Sequence, residues 1–299
     1  MTDILTRAQL SLLADLLHTD TARLSSLERL GAEDLKALRG ALSDALFDEQ
    51  AEAFARVSKL APLVPNALVV TVAHRAVPPE VAGRVGGAVG LAHGNRAIGV
   101  LSGMKPTYLA DAAPYVDPRV IPHFAPRLPA KLLIPAAKEL LRRRDYLTAS
   151  RFVEFATDEL IVAFEQAIDD DEGVILTGVL VSDTKVMNDI MRAAGPDRSL
   201  RMARAATADG KPEVLAALMS LLNRIDPELA RPAVTELLGH TDSDRVAYVL
   251  DVAAAEGVVV ETLEVSAVLD EEARTRLTGL EAWHRMARSA DSWANETPA

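Results

Sequence analysis

Ala113-Pro-Tyr-Val-Asp-Pro-Arg119 contains a short order of residues that decides the fold: an apolar side chain, a capping residue or proline, then a polar first turn. Val116-Asp-Pro-Arg119 has this order. It recurs at Val77-Pro-Pro-Glu80, Leu128-Pro-Ala-Lys131, Ala156-Thr-Asp-Glu159, Val181-Ser-Asp-Thr184 and Ile225-Asp-Pro-Glu228. Proline is tolerated in the first turn of a helix and damaging further in, because it lacks an N–H and fixes φ. Asp and Thr just before that turn accept its unpaired backbone N–H groups. Pro65, Pro79, Pro106, Pro118, Pro129, Pro212 and Pro227 therefore each mark the start of a short helix.

The starts belong to a repeat. Ala61-Pro-Leu-Val64 and Ala113-Pro-Tyr-Val116 lie 52 residues apart. In that register Val69 falls on Ile121, Val81 on Leu133, Val89 on Leu141, Leu101 on Val153 and Leu109 on Ile161. Fainter copies begin at Ile168-Asp-Asp and Ile225-Asp-Pro. The reading is three to four copies of a unit of roughly 50–57 residues, each of two or three short helices. The expected fold is all-α, an armadillo-like α-solenoid. Residues 1–57 form an N-terminal helical segment, 58–262 the solenoid, and 263–299 a capping helix and frayed tail. In the N-terminal segment, apolar residues at 4, 5, 10, 12, 13, 16 and 17 keep helical spacing. The tail helix carries Leu277, Leu280, Trp283 and Met286 on one face.

Composition agrees. Of 299 residues, 49% are hydrophobic but only 4% aromatic, so the core is built from Ala, Leu, Val and Ile, which suits close-packed helices. A net charge of −11 argues against non-specific nucleic-acid binding and against anionic membrane surfaces. The absence of cysteine excludes disulfides, zinc–thiolate sites, iron–sulfur clusters and cysteine nucleophiles. Without a long uncharged apolar run, a soluble cytoplasmic protein with no membrane insertion is expected.

The helix starts at Ala113–Pro129 and the stretch Phe152-Val-Glu-Phe-Ala-Thr-Asp-Glu-Leu-Ile161 resemble the intracellular N-terminal domain of the MgtE magnesium transporters, over roughly residues 60–240. The resemblance implies a right-handed superhelix of short helices. The family's paired CBS domains and membrane channel have no counterpart in the sequence, so transport is not carried over. Magnesium is implied by the resemblance alone. The nearest match to the family's cation-holding acids is Asp169, Asp170, Asp171 and Glu172. Such a run at a helix start equally serves as cap and dipole partner.

Gly83, Gly86, Gly87, Gly90 and Gly94 raise the question of a phosphate loop. Their spacing fits neither Gly-x4-Gly-Lys-Ser/Thr nor Gly-x-Gly-x-x-Gly after a strand. It is i, i+3, i+4, i+7, i+11, one face of one helix. Glycine inside a helix costs roughly 0.5–1 kcal/mol relative to Ala, so a close neighbour along that face is expected. The N-terminal helices with Leu12, Leu13, Leu16 and Leu17, a subunit partner, or a ligand are the alternatives.

His74 and His123 fall within one helical turn of each other in repeat register, with His93, Asp111 and Tyr115 nearby in sequence. A metal or acid–base site is conceivable there, although no His-x3-His or His-Glu-x-x-His spacing supports one. The leading expectation is a non-enzymatic scaffold binding a protein partner or another copy of itself. The alternative is a small-ligand or cofactor-binding protein, even an enzyme, with an apolar pocket near helix 81–94 and His74, His93 and His123. A divalent-cation sensor comes third. No cofactor is implied beyond the magnesium of the resemblance.

Overall fold

A computed structural model describes residues 4–60, 63–181, 183–208 and 210–294. The Ala61-Pro62 start of the first copy, Ser182 of the Val181–Thr184 motif, and the tail beyond residue 294 lie outside these. Among the described residues the chain is all helix, with no strand. The helices are α1 (Ile4–Leu16), α2 (Gly31–Leu60), α3 (Asn66–Ala76), α4 (Pro79–Ala92), α5 (Gly94–Leu101), α6 (Pro106–Ala112), α7 (Ile121–Phe124), α8 (Ala130–Arg142), α9 (Tyr146–Val153) and α10 (Asp158–Ala167). They continue as α11 (Asp171–Gly178), α12 (Thr184–Ala206), α13 (Pro212–Leu222), α14 (Pro227–Leu238), α15 (Ser243–Glu256), α16 (Val259–Val265), α17 (Glu271–Thr278) and α18 (Glu281–Ala294). None is long and apolar enough to cross a membrane.

The starts follow local chemistry. Pro79, Pro106, Pro212 and Pro227 each occupy the first turn of a helix, while Pro65 and Pro129 sit just before α3 and α8. Asp145, Thr157, Asp170 and Asp270 accept backbone N–H groups from the turns they open. Between α1 and α2, after Asp20, runs a 3-10 segment, Thr21–Leu30. The single tail helix is instead two, α17 and α18, separated at Gly279 and Leu280.

Moved forward 52 residues, α5 coincides with α9, α4 matches α8 to within two residues, and α6 falls inside α10. The α3 counterpart is broken into Pro118–Val120, α7 and Ala125–Arg127. Pro118, Pro122 and Pro126 recur there every four residues, whereas α3 holds none. The shift from Ile168 to Ile225 is looser. It brings α11 inside α14 and α13 around α17, but α12 spans 23 residues with a kink at Gly195 (φ 78°), and no single helix answers it.

Contacts divide the chain between Asp169 and Asp170. Within residues 6–169, α4 packs on α6, α6 on α8 and α8 on α10; in the unit beginning at Asp170, α11 packs on α13, α13 on α15 and α15 on α18. This neighbour-by-neighbour packing is solenoid-like. In the first unit Leu10, Leu13 and Leu35 form one small core, and Val120 with Leu128 another. In the second, α13 is buried from Val214 to Leu222.

Candidate functional site

A cavity of about 470 Å³ opens within residues 6–169, where α1 and α2 meet α4, the turns at 113–120 and the end of α9. Its apolar wall comes from Leu12, Leu16, Leu46, Phe47, Ile121 and Phe155. Its polar wall holds four cations (Arg39, Arg84, Arg119 and Arg151) and three acids (Asp15, Asp44 and Glu154). The cavity wall thus carries both signs of charge at close quarters.

Three of the arginines are engaged. Arg119 donates to Asp117 and, at 2.7 Å, to Asp48 on α2, and lies 5.8 Å over the Phe47 ring. These carboxylates raise its pKa well above the ordinary value. Arg84 pairs with Glu80 one turn back at 2.9 Å. Arg151 donates to the Pro114 and Val116 carbonyls, both at 2.8 Å. Burial pulls the Arg151 pKa down, and the nearby Arg39 charge adds to that, against Asp15, Asp145 and Asp117.

Arg39 differs. Its Nε is buried without a hydrogen-bond partner, and so is the Oγ of Ser43, one turn further along α2 and only 6% exposed. Burial lowers the Arg39 pKa, opposed by Glu154 across the cavity. A buried polar group without a partner costs about 1–3 kcal/mol, and such groups are few in folded proteins. Two of them on one helix face, at the wall of a cavity, form an open pair of donors. His18, also in the wall, ends α1 in the left-handed region (φ 50°).

The sequence-derived candidates are placed elsewhere. The glycine face is covered by the chain itself at Gly83 and Gly87. A Cβ at Gly83 would run into the Ala112 carbonyl and lie 2.9 Å from Tyr115 Cβ, and one at Gly87 would lie 3.0 Å from Val120 Cγ2. The cover is therefore the segment 112–120 and not the N-terminal leucines. Leu12 and Leu16 line the cavity and Leu13 joins the core with Leu10 and Leu35. Gly94 is not on the same helix as the others, because the backbone breaks at His93 (φ −142°, ψ 53°) and Gly94 opens α5. Gly86 faces open space and Gly90 is buried.

His74 accepts the Lys105 N–H on Nε2 at 3.2 Å and meets Tyr108 edge-on at 5.1 Å, a structural use at the start of α6. His93 is the joint between α4 and α5, and His123 is exposed on α7. Asp111 pairs with Arg143, and Tyr115 borders the cavity. Asp170 caps α11 through Gly173 N–H at 2.8 Å, Asp171 pairs with Arg198 at 2.8 Å, Glu172 pairs with Lys211, and Asp169 is exposed. Among the described residues no three His, Asp or Glu side chains are grouped to hold a metal ion.

Comparison with protein-family models, with curated proteins and with solved structures finds no match for this chain.

Arg39 and Ser43 escape a sequence reading because they sit beside the apolar stripe Leu35, Leu38, Leu42, where polar residues of an amphipathic helix ordinarily meet water. The available signal was their i, i+4 spacing along that stripe's edge.

Proposed function

We propose that this is a ligand-binding protein of the helical-repeat kind, and that the cavity beside α2 receives a small molecule with an anionic end. One observation carries the reading: Arg39 and Ser43 present buried donors with no acceptor at the wall of a space of about 470 Å³, within the size range of small-molecule sites. The apolar wall suits the body of such a ligand. A thermal-shift screen over small oxyanions and amphiphilic acids tests it. At least one should raise the Tm of the wild type and leave Arg39→Met unmoved, with both folded by circular dichroism. A flat screen sinks the reading.

A second reading, a protein partner or a second copy of this chain, is favoured by Leu68 and Val72, which stand exposed one turn apart on α3. Leu68→Glu should then lower the sedimentation coefficient at high concentration. The likeness to the MgtE superhelical domain supports a repeat architecture but neither transport nor magnesium sensing, since Asp170, Asp171 and Glu172 of the acidic run are engaged in a cap and ion pairs.

A further inference from the structure

Resting on the reading of the cavity as a binding site, we infer that its ligand is a monocarboxylate with an apolar body, held by Arg39 with help from the Ser43 hydroxyl. A guanidinium presents a planar fork of donors that matches the two oxygens of a carboxylate. Of the four cavity arginines, Arg84, Arg119 and Arg151 already spend donors on Glu80, Asp117 and Asp48, and on the Pro114 and Val116 carbonyls. Arg39 keeps its buried Nε without a hydrogen-bond partner, and Ser43 Oγ adds a buried hydroxyl one helical turn away.

Charge sets the number of negative groups the ligand carries. Arg39 and Arg151 face each other's fields, and an anion beside Arg39 relieves that repulsion. Glu154 and Asp15 stand in the same cavity and already offset part of the positive charge. Asp44 is taken up by Arg119 at 3.7 Å, so one negative charge is matched and a second meets the Asp15 and Glu154 carboxylates. A phosphate monoester is therefore disfavoured, and so is an uncharged alcohol, which leaves the Arg39 Nε without an anionic acceptor. Leu16, Phe47 and Phe155 supply the apolar wall against which an alkyl or aryl body packs.

Calorimetric titration with octanoate, octyl phosphate and octanol at neutral pH and low salt tests the assignment. Octanoate should bind, and the other two at least about tenfold more weakly, the weight of one charged hydrogen bond. Arg39→Met should weaken octanoate by at least about tenfold and leave octanol unchanged, and Ser43→Ala should weaken it severalfold. Glu154→Gln should bring octyl phosphate towards octanoate. Should Arg39→Met fail to fold, Arg39→Lys, which keeps the charge but not the fork, should still lose affinity. Octanol or octyl phosphate binding as tightly as octanoate overturns the carboxylate and leaves the cavity as a binding site. Binding of none of the three overturns both.

Discussion

In the unit beginning at Asp170, α13 runs Val-Leu-Ala-Ala-Leu-Met-Ser-Leu-Leu from 214 to 222, and every one of those residues is buried. In the unit of residues 6–169, α4 has a similar length and the same proline start, yet it carries four glycines and leaves Val81 45% exposed. Both helices are opened by the same local chemistry. The difference is side-chain volume. Large side chains around α13 fill the space between α11, α15 and α16. Glycines on α4 let the backbone at 112–117 come close, and α1, α2 and the arginines then line an open cavity. The arginines make the same contrast. Arg224 is pulled down to about 10 by burial and donates to the carbonyls of Gly178, Val179 and Val181, at 3.3, 3.1 and 2.7 Å. Arg39 is also pulled down by burial and has no such acceptor. Arg224 spends its buried donors on backbone carbonyls, and Arg39 keeps its buried Nε free of any acceptor.

The largest expected break in this comparison is in the cores. Leu218 is 0% exposed, and Leu218→Ala should lower stability by about 2–5 kcal/mol in urea unfolding. Leu68→Ala, at a position 52% exposed, should stay within about 0.5 kcal/mol. Equal losses would erase the distinction between a filled and an open unit. The arginines come next. Arg224→Met removes the hydrogen bonds to the Gly178, Val179 and Val181 carbonyls and should cost about 3 kcal/mol. Arg39 Nε has no acceptor to lose, so Arg39→Met should be neutral or stabilising. A loss at Arg39 comparable with that at Arg224 would mean Arg39 holds the fold together.

Glycine substitutions sharpen the account of α4. Gly83→Ala forces a Cβ into the Ala112 carbonyl and should destabilise by about 1–3 kcal/mol, whereas Gly86→Ala meets nothing within 4 Å and should stabilise by about 0.5–1 kcal/mol. Thermal melts of the two variants should move in opposite directions. The smallest effect concerns Glu139, which stands at the position answering Gly87. Its pairing with Arg142 and Arg143 depresses its pKa to about 2 from an ordinary 4.5. The stability it adds is present above pH 4.5 and is lost as pH falls towards 2. The Tm curves of wild type and Glu139→Gln should differ slightly at neutral pH, less so in high salt, and converge in acid. Parallel curves down to the lowest pH would leave that ion pair without a stabilising role.

Much of the architecture was legible before any coordinate. Pro79, Pro106, Pro212 and Pro227 open helices because the missing N–H and fixed φ act on the residue itself and its immediate neighbours. The 52-residue register survives to the level of α5 on α9 because equal spacing of caps imposes equal helix lengths. The i, i+4 run of glycines correctly implied a close neighbour, yet it held no information about which segment that was. The break at His93 was missed because nothing in Ala92-His93-Gly94 forbids helix strongly enough to announce it.

By itself, then, the amino-acid order determined that this chain is helical throughout its described length, where its helices begin, and that α4 has to be approached closely, since all of these depend on interactions within a turn or two of each residue. Only the tertiary structure decided that residues 112–120 cover the glycines, that the division falls at Asp169, and that Arg39 of α2 and Arg151 of α9 face one cavity. Such meetings join residues from about thirty to more than a hundred positions apart. They are selected by how whole helices fill space together, for which no local residue preference is a guide.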